Sequence, residues 1–160
     1  MHRGSFSKQT KIYREQVDLM GHAHLGGKTV LYLIDGLLCG VHPIDPEPHK
    51  WTSAPFNGNW TSSLLASQDP VAIDSVGLDF ARAEWKSGFP NQPGVDDYLH
   101  EAALAEAPPS GTFYDPDHPQ PIKRLASLGV HEHWNNAEDK KYSGNLGTGK
   151  GIELVAVRSG

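Results

Sequence analysis

The segment from Asp69 to Trp85, DPVAIDSVGLDFARAEW, constrains the fold of this chain more than any other. Asp69 suits a helix N-cap and Pro70 the first helical position. On a helical wheel Ser75, Asp79 and Arg82 form one narrow polar stripe. Val71, Ile73, Val76, Leu78, Phe80, Ala81 and Trp85 cover most of the remaining surface. A helix that is apolar over so much of its circumference has to be largely buried. Asp74 breaks the pattern, because it lies on the apolar side between Ala81 and Trp85. An unpaired carboxylate in that position costs roughly several kcal/mol. Asp74 is therefore paired, protonated, metal-bound or hydrogen-bonded to a loop.

The layer that buries this helix is supplied by Lys28 to Cys39, KTVLYLIDGLLC. A short apolar run rich in β-branched and aromatic residues predicts a strand buried on both faces over 29–35. Ile152 to Arg158 alternates and predicts a terminal strand. Asp97 to Ala107 predicts a short helix stopped by Pro108-Pro109, and Ile122 to Leu128 one or two helical turns ended by Gly129. Between these elements, 17 Gly and 12 Pro make up 29 of the 160 residues, which predicts long loops. Residues 42–63 are the longest such loop. The expected fold class is α/β: a small mixed sheet covered by helices, loop-rich and single-domain over residues 19–160. Residues 1–18 read as a polar arm or a truncated start.

Composition excludes several functions. The net charge is −5 with no dominant basic patch, so nucleic acid is not an expected partner. One Cys excludes an internal disulfide framework and a Cys-built zinc or iron–sulfur site. No apolar run reaches the ~18 residues of a membrane span, and no signal-peptide core follows Met1. Gly144 to Gly151, GNLGTGKG, falls short of a phosphate-binding loop, because Gly151 stands where a hydroxyl would hold Mg²⁺ and a strand pattern follows. Cys39, near His42, reads as a small buried residue rather than a nucleophile.

The histidines carry the clearest chemistry. His22-Ala-His24 and His131-Glu-His133 are two His-x-His pairs. On an extended backbone, residues i and i+2 face one side, so each pair could give two imidazoles to one divalent ion such as zinc. Asp35 or Asp74 would add a carboxylate. Asp35 ends the expected central strand, where ligands of open α/β sheets bind. It is a candidate ligand or general base, or the start of an Asp-Gly turn. Trp60 and Trp134, in polar Gly/Pro-rich surroundings, could form a platform for a sugar ring or plug the core under the loops.

Residues 67–85, SQDPVAIDSVGLDFARAEW, resemble a bacterial and archaeal family named domain of unknown function 362, whose members carry a similar Asp-Pro-[Val/Leu]-Ala-[Ile/Leu/Val]-Asp helix start. KTVLYLIDGL and the later PPSGTFYDP and LGVHEHWNN stretches also look like that family. The resemblance implies an α/β fold and the C-terminal half of a longer protein. It implies no catalytic assignment, and Asp69 and Asp74 carry over only as motif positions. A missing N-terminal half would leave a sheet edge exposed and favour a homo-oligomer. Three functions follow as expectations. The first is a metal-binding, hydrolytic domain built on His22, His24, His131 and His133 with Asp35 or Asp74, acting on a small molecule. The second is a glycan-binding or carbohydrate-active protein built on the loop Trp residues and carboxylates. The third is a non-catalytic accessory domain of an iron–sulfur redox system.

Overall fold

The computed structural model describes residues 14–40 and 46–158. His42, noted above beside Cys39, lies outside them. In chain order the elements are α1 (Glu15–Gly21), β1 (Tyr32–Gly36), β2 (Ser63–Ser67), α2 (Pro70–Glu84) and α3 (Asp97–Ala103), with short 3₁₀ turns between them. This is the expected mixture of a small sheet, helices and long loops, and α2 occupies the segment the wheel pattern marked out. Its N-cap is as read: the Asp69 carboxylate accepts from the Val71 and Ala72 backbone N–H groups, both at 2.8 Å. The same carboxylate accepts from the Val130 N–H at 2.9 Å. A Cβ at Gly129 would lie 2.0 Å from Asp69 Oδ1, so only glycine lets the 129–134 loop come this close to the cap. Asp69→Ala removes the cap and the loop tether together. We expect it to cost about 1 kcal/mol, read as a lower urea midpoint at unchanged slope.

β1 and β2 pair antiparallel, with Tyr32 opposite Ser67, Ile34 opposite Leu65 and Gly36 opposite Ser63. One face of this ladder packs on α2. Gly77 makes the close approach possible, since a Cβ there would come within 2.9 Å of Ile34 Cδ1. A helical glycine costs about 1 kcal/mol relative to alanine, and here it lets strand and helix touch. The other face is open: Leu33 is 56% and Leu64 64% exposed. β1 is therefore not buried on both faces as its apolar run suggested, because the described residues place no helix over the outer side. The terminal strand expected at 152–158 forms no ladder with other described residues; the segment is irregular and a cavity separates it from Leu64–Ser67. Residues 122–128 are irregular rather than helical. Their backbone bonds go to other segments, Leu125 N–H to the Tyr114 carbonyl and Leu128 N–H to that of Ala102.

Two apolar clusters lie on either side of α2. One joins Val17, Val71, Leu99, Ala102, Ala105 and Tyr114. The other joins Ala72, Val76, Tyr142 and Ile152, with Phe80 and Trp134 packed against it. Val17 and Arg14 are buried, so chain packing has begun by residue 14, within the stretch read as an arm. Arg14 is held by a 2.7 Å ion pair to Asp97 at the start of α3.

Candidate metal centre

The polar stripe of α2 does not face water. Ser75 and Asp79 are among the most buried residues of the helix, and the 129–142 loop lies over them. Buried polar groups require partners, and the His131-Glu-His133 pair provides them. The two imidazoles project to the same side, as an i, i+2 pair on extended chain should. His131 Nδ1 lies 2.8 Å from Ser75 Oγ, and His133 Nδ1 lies 2.7 Å from Asp79 Oδ1. Asp79 also accepts from the Trp134 backbone N–H at 3.1 Å and from the Tyr142 hydroxyl at 3.0 Å.

α3 closes the site from the other side. Asp96, at its N-cap, and His100, one turn on, stand on one face of the helix. His100 and His131 stack edge to face with ring centroids 4.4 Å apart, and His131 and His133 at 5.0 Å. One ligand atom from each of Asp96, His100 and His131 lies within 4.8 Å of the other two. Among the described residues this is the one group of three or more such side chains that meets so closely. His133 Nε2 is 3.9 Å from Asp96 Oδ2, at the edge of the same group. Arg82 anchors Asp96: its Nη2 donates to Asp96 Oδ2 at 2.9 Å and its Nε to the Pro90 carbonyl at 2.8 Å.

The hydrogen bonds fix the tautomer of His131. The Ser75 hydroxyl has one proton, and Oγ is 2.7 Å from the Val71 carbonyl, which can only accept. That proton goes to Val71, so Ser75 Oγ accepts from His131 Nδ1–H. Nε2 of a neutral ring then carries a lone pair, and this atom is buried with no hydrogen-bond partner. The ring is neutral at ordinary pH: burial, aided by the charges of His100 and His133, pushes the His131 pKa down to about 4 against the pull of Asp96 and Asp79. Ser75 itself is fully buried with its proton committed to Val71, so it is not an activated nucleophile.

The neighbours titrate differently. The hydrogen bond to Asp79 raises the His133 pKa, and burial opposes the rise. Burial alone would raise Asp96, but the hydrogen bond and charge of Arg82, with help from His100, hold it below its ordinary value as a carboxylate.

The other candidates lie elsewhere. His22 and His24 are beside each other, the His24 N–H donating to His22 Nδ1 at 3.0 Å. His22 Nδ1 is also 3.5 Å from Asp117. They form no group of three ligands with other described residues. Asp74 accepts from the Tyr98 hydroxyl at 3.0 Å, one of the anchors its sequence position called for. Burial raises its pKa and that hydrogen bond offsets part of the rise. Asp35 is exposed and accepts from the Leu37 backbone N–H at 2.9 Å, the Asp-Gly turn weighed above. Trp60 is exposed under the Lys50 ammonium, whereas Trp134 packs edge-on against Phe80. Asp79, Asp96, His100 and Arg82 were not singled out as site residues. The signal for two of them was present, since a polar stripe on an otherwise apolar helix must meet buried partners.

Comparison with protein-family models, with curated proteins and with solved structures finds no match for this chain.

Proposed function

We propose that this chain is a metal-binding domain whose divalent ion is held by Asp96, His100 and His131, with His133 as a further ligand. The observation that carries the reading is His131 Nε2: a buried lone pair without a donor, on a ring locked through its other nitrogen, beside a carboxylate and a second imidazole. Metal-bound histidines are characteristically held this way, the second ring nitrogen bonded to an oxygen behind it. His133 has the same arrangement with Asp79 behind it. Imidazole and carboxylate donors without thiolate suit zinc or a similar divalent ion. His22 and His24 are outside the proposed set.

A bound ion would polarise a substrate oxygen and acidify water, which makes a hydrolytic reaction on a small-molecule substrate the proposed activity. The protein's own contribution is orientation. Ser75 and Asp79 set the two rings, and Arg82 sets the carboxylate. Arg82 also tempers the negative charge of the site, so an ion held here would depend on the lone pairs of the imidazoles. Membership of the family that residues 67–85 resemble belongs to the same proposal and assigns no ligand.

The test is elemental analysis of untagged protein purified without chelator, and zinc titration of the same protein after its metal has been stripped. We expect one zinc per chain, affinity at least tenfold weaker in His131→Ala and Asp96→Asn, and no change in a His22→Ala/His24→Ala double variant. Absence of stoichiometric zinc in the parent protein, or equal affinity in His131→Ala, would overturn the assignment.

A further inference from the structure

A cavity of about 410 Å³ lies between α1, α2, α3 and β1, and it shares no residue with the proposed metal set. That volume is within the range of small-molecule sites. Asp74, Gly77, Leu78 and Ala81 of α2 all line it. They recur at i, i+3, i+4 and i+7, so one face of the helix forms this wall and Asp74 projects from that face. Met20 of α1, Ile34 of β1 and Tyr98 of α3 line the other sides.

The Asp74 carboxylate is only half met. Its Oδ2 accepts from the Tyr98 hydroxyl at 3.0 Å, and both side chains border the cavity. Its Oδ1 accepts nothing from the described residues, yet it is not a buried orphan. That oxygen therefore keeps accessible surface, and the cavity is the space that Asp74 borders. The rest of the lining is mainly apolar and, among the described residues, carries no basic side chain. An unmet carboxylate oxygen against apolar walls costs free energy that a cationic donor would recover. One carboxylate without a second acid or an imidazole does not make a metal site.

We infer that this cavity binds a small organic amine, whose ammonium donates to Asp74 Oδ1 while its apolar body rests against Met20, Ile34 and Leu78. Tyr98 holds the second oxygen, which disfavours the side-on fork of a guanidinium or amidinium. An ammonium is a compact point charge and needs only the oxygen that remains. A carboxylate ligand would meet a like charge.

Phenethylamine and 2-phenylethanol test this directly, because they share a shape and differ in charge. We expect saturable phenethylamine binding, about tenfold or more tighter than 2-phenylethanol. The Met20 methyl and Gly77 N–H resonances, on different walls, should move with the amine. Asp74→Asn keeps the shape of the side chain and an acceptor for Tyr98, and should bring the two compounds within about twofold. Failure of phenethylamine to bind saturably would overturn the inference, and so would equal binding of the two compounds by the parent protein. Saturable binding that leaves the Met20 and Gly77 resonances unmoved would also overturn it, since the amine would then sit elsewhere on a chain of net charge −5. A preference that survives Asp74→Asn would do the same. The outcomes in the parent protein do not depend on the variant folding, and none requires bound metal.

Discussion

Asp79→Ala is expected to remove about 3–5 kcal/mol of folding stability, the largest loss for any single substitution around the site. Asp79 is 4% exposed and accepts three hydrogen bonds, from His133, Trp134 and Tyr142. Tyr142 is itself fully buried, so its hydroxyl has no water to turn to. Removing the carboxylate leaves the buried Tyr142 hydroxyl and the half-buried Trp134 N–H unmet, and each unmet group costs more than a net hydrogen bond contributes. The reciprocal change is milder. Tyr142→Phe removes one donor and leaves Asp79 with two, and we expect about 1 kcal/mol. Urea unfolding of both variants checks the asymmetry. A loss below about 1 kcal/mol in Asp79→Ala would show that the cluster orients His133 without stabilising the fold. If the metal proposal holds, Asp79→Asn should weaken zinc about 10–100-fold, because a histidine ligand loses the group behind it.

The segments whose local chemistry agrees with their packing were legible in the sequence. α2 has a cap, a proline at its first position and an apolar circumference, and it forms where these place it. Asp74 had to find a partner and has Tyr98. β2 was not legible. Ser-Leu-Leu-Ala-Ser contains no β-branched or aromatic residue, and it is a strand because β1 pairs with it. The reverse holds for 152–158, which alternates well but has no neighbour in ladder register among the described residues. The site divides along the same line. His22-Ala-His24 and His131-Glu-His133 are indistinguishable as motifs, and the difference is what each loop lies against. The first is beside the half-exposed Asp117, and the second covers the polar stripe of a buried helix. Asp96 and His100 join through a helix packing that local sequence does not encode.

Lowering the pH from about 6.5 to about 4 is expected to destabilise the metal-free protein by about 1–2 kcal/mol through His131. Its pKa falls from 6.5 to about 4 on folding. Between those values the unfolded chain binds more protons than the folded one, so stability rises with pH across the window and is lost on acidification. The gap is worth roughly 3.4 kcal/mol at about 1.36 kcal/mol per pH unit. Solvent screening of a half-buried ring reduces that to about 1–2 kcal/mol. His133 acts in the opposite sense. Its pKa is raised, so its contribution is present below ~6.5 and is lost as the pH climbs through the folded value. The two contributions act in adjoining pH windows, His131 below about 6.5 and His133 above it, and single variants separate them. His131→Gln should flatten the acid limb of stability between pH 4 and 6.5 relative to the parent. His133→Gln should instead flatten the loss above it. If the parent and His131→Gln curves stay parallel from pH 6.5 down to 4, the burial of a neutral His131 ring is not what the fold maintains. The case for its Nε2 as a standing lone pair would fall with it.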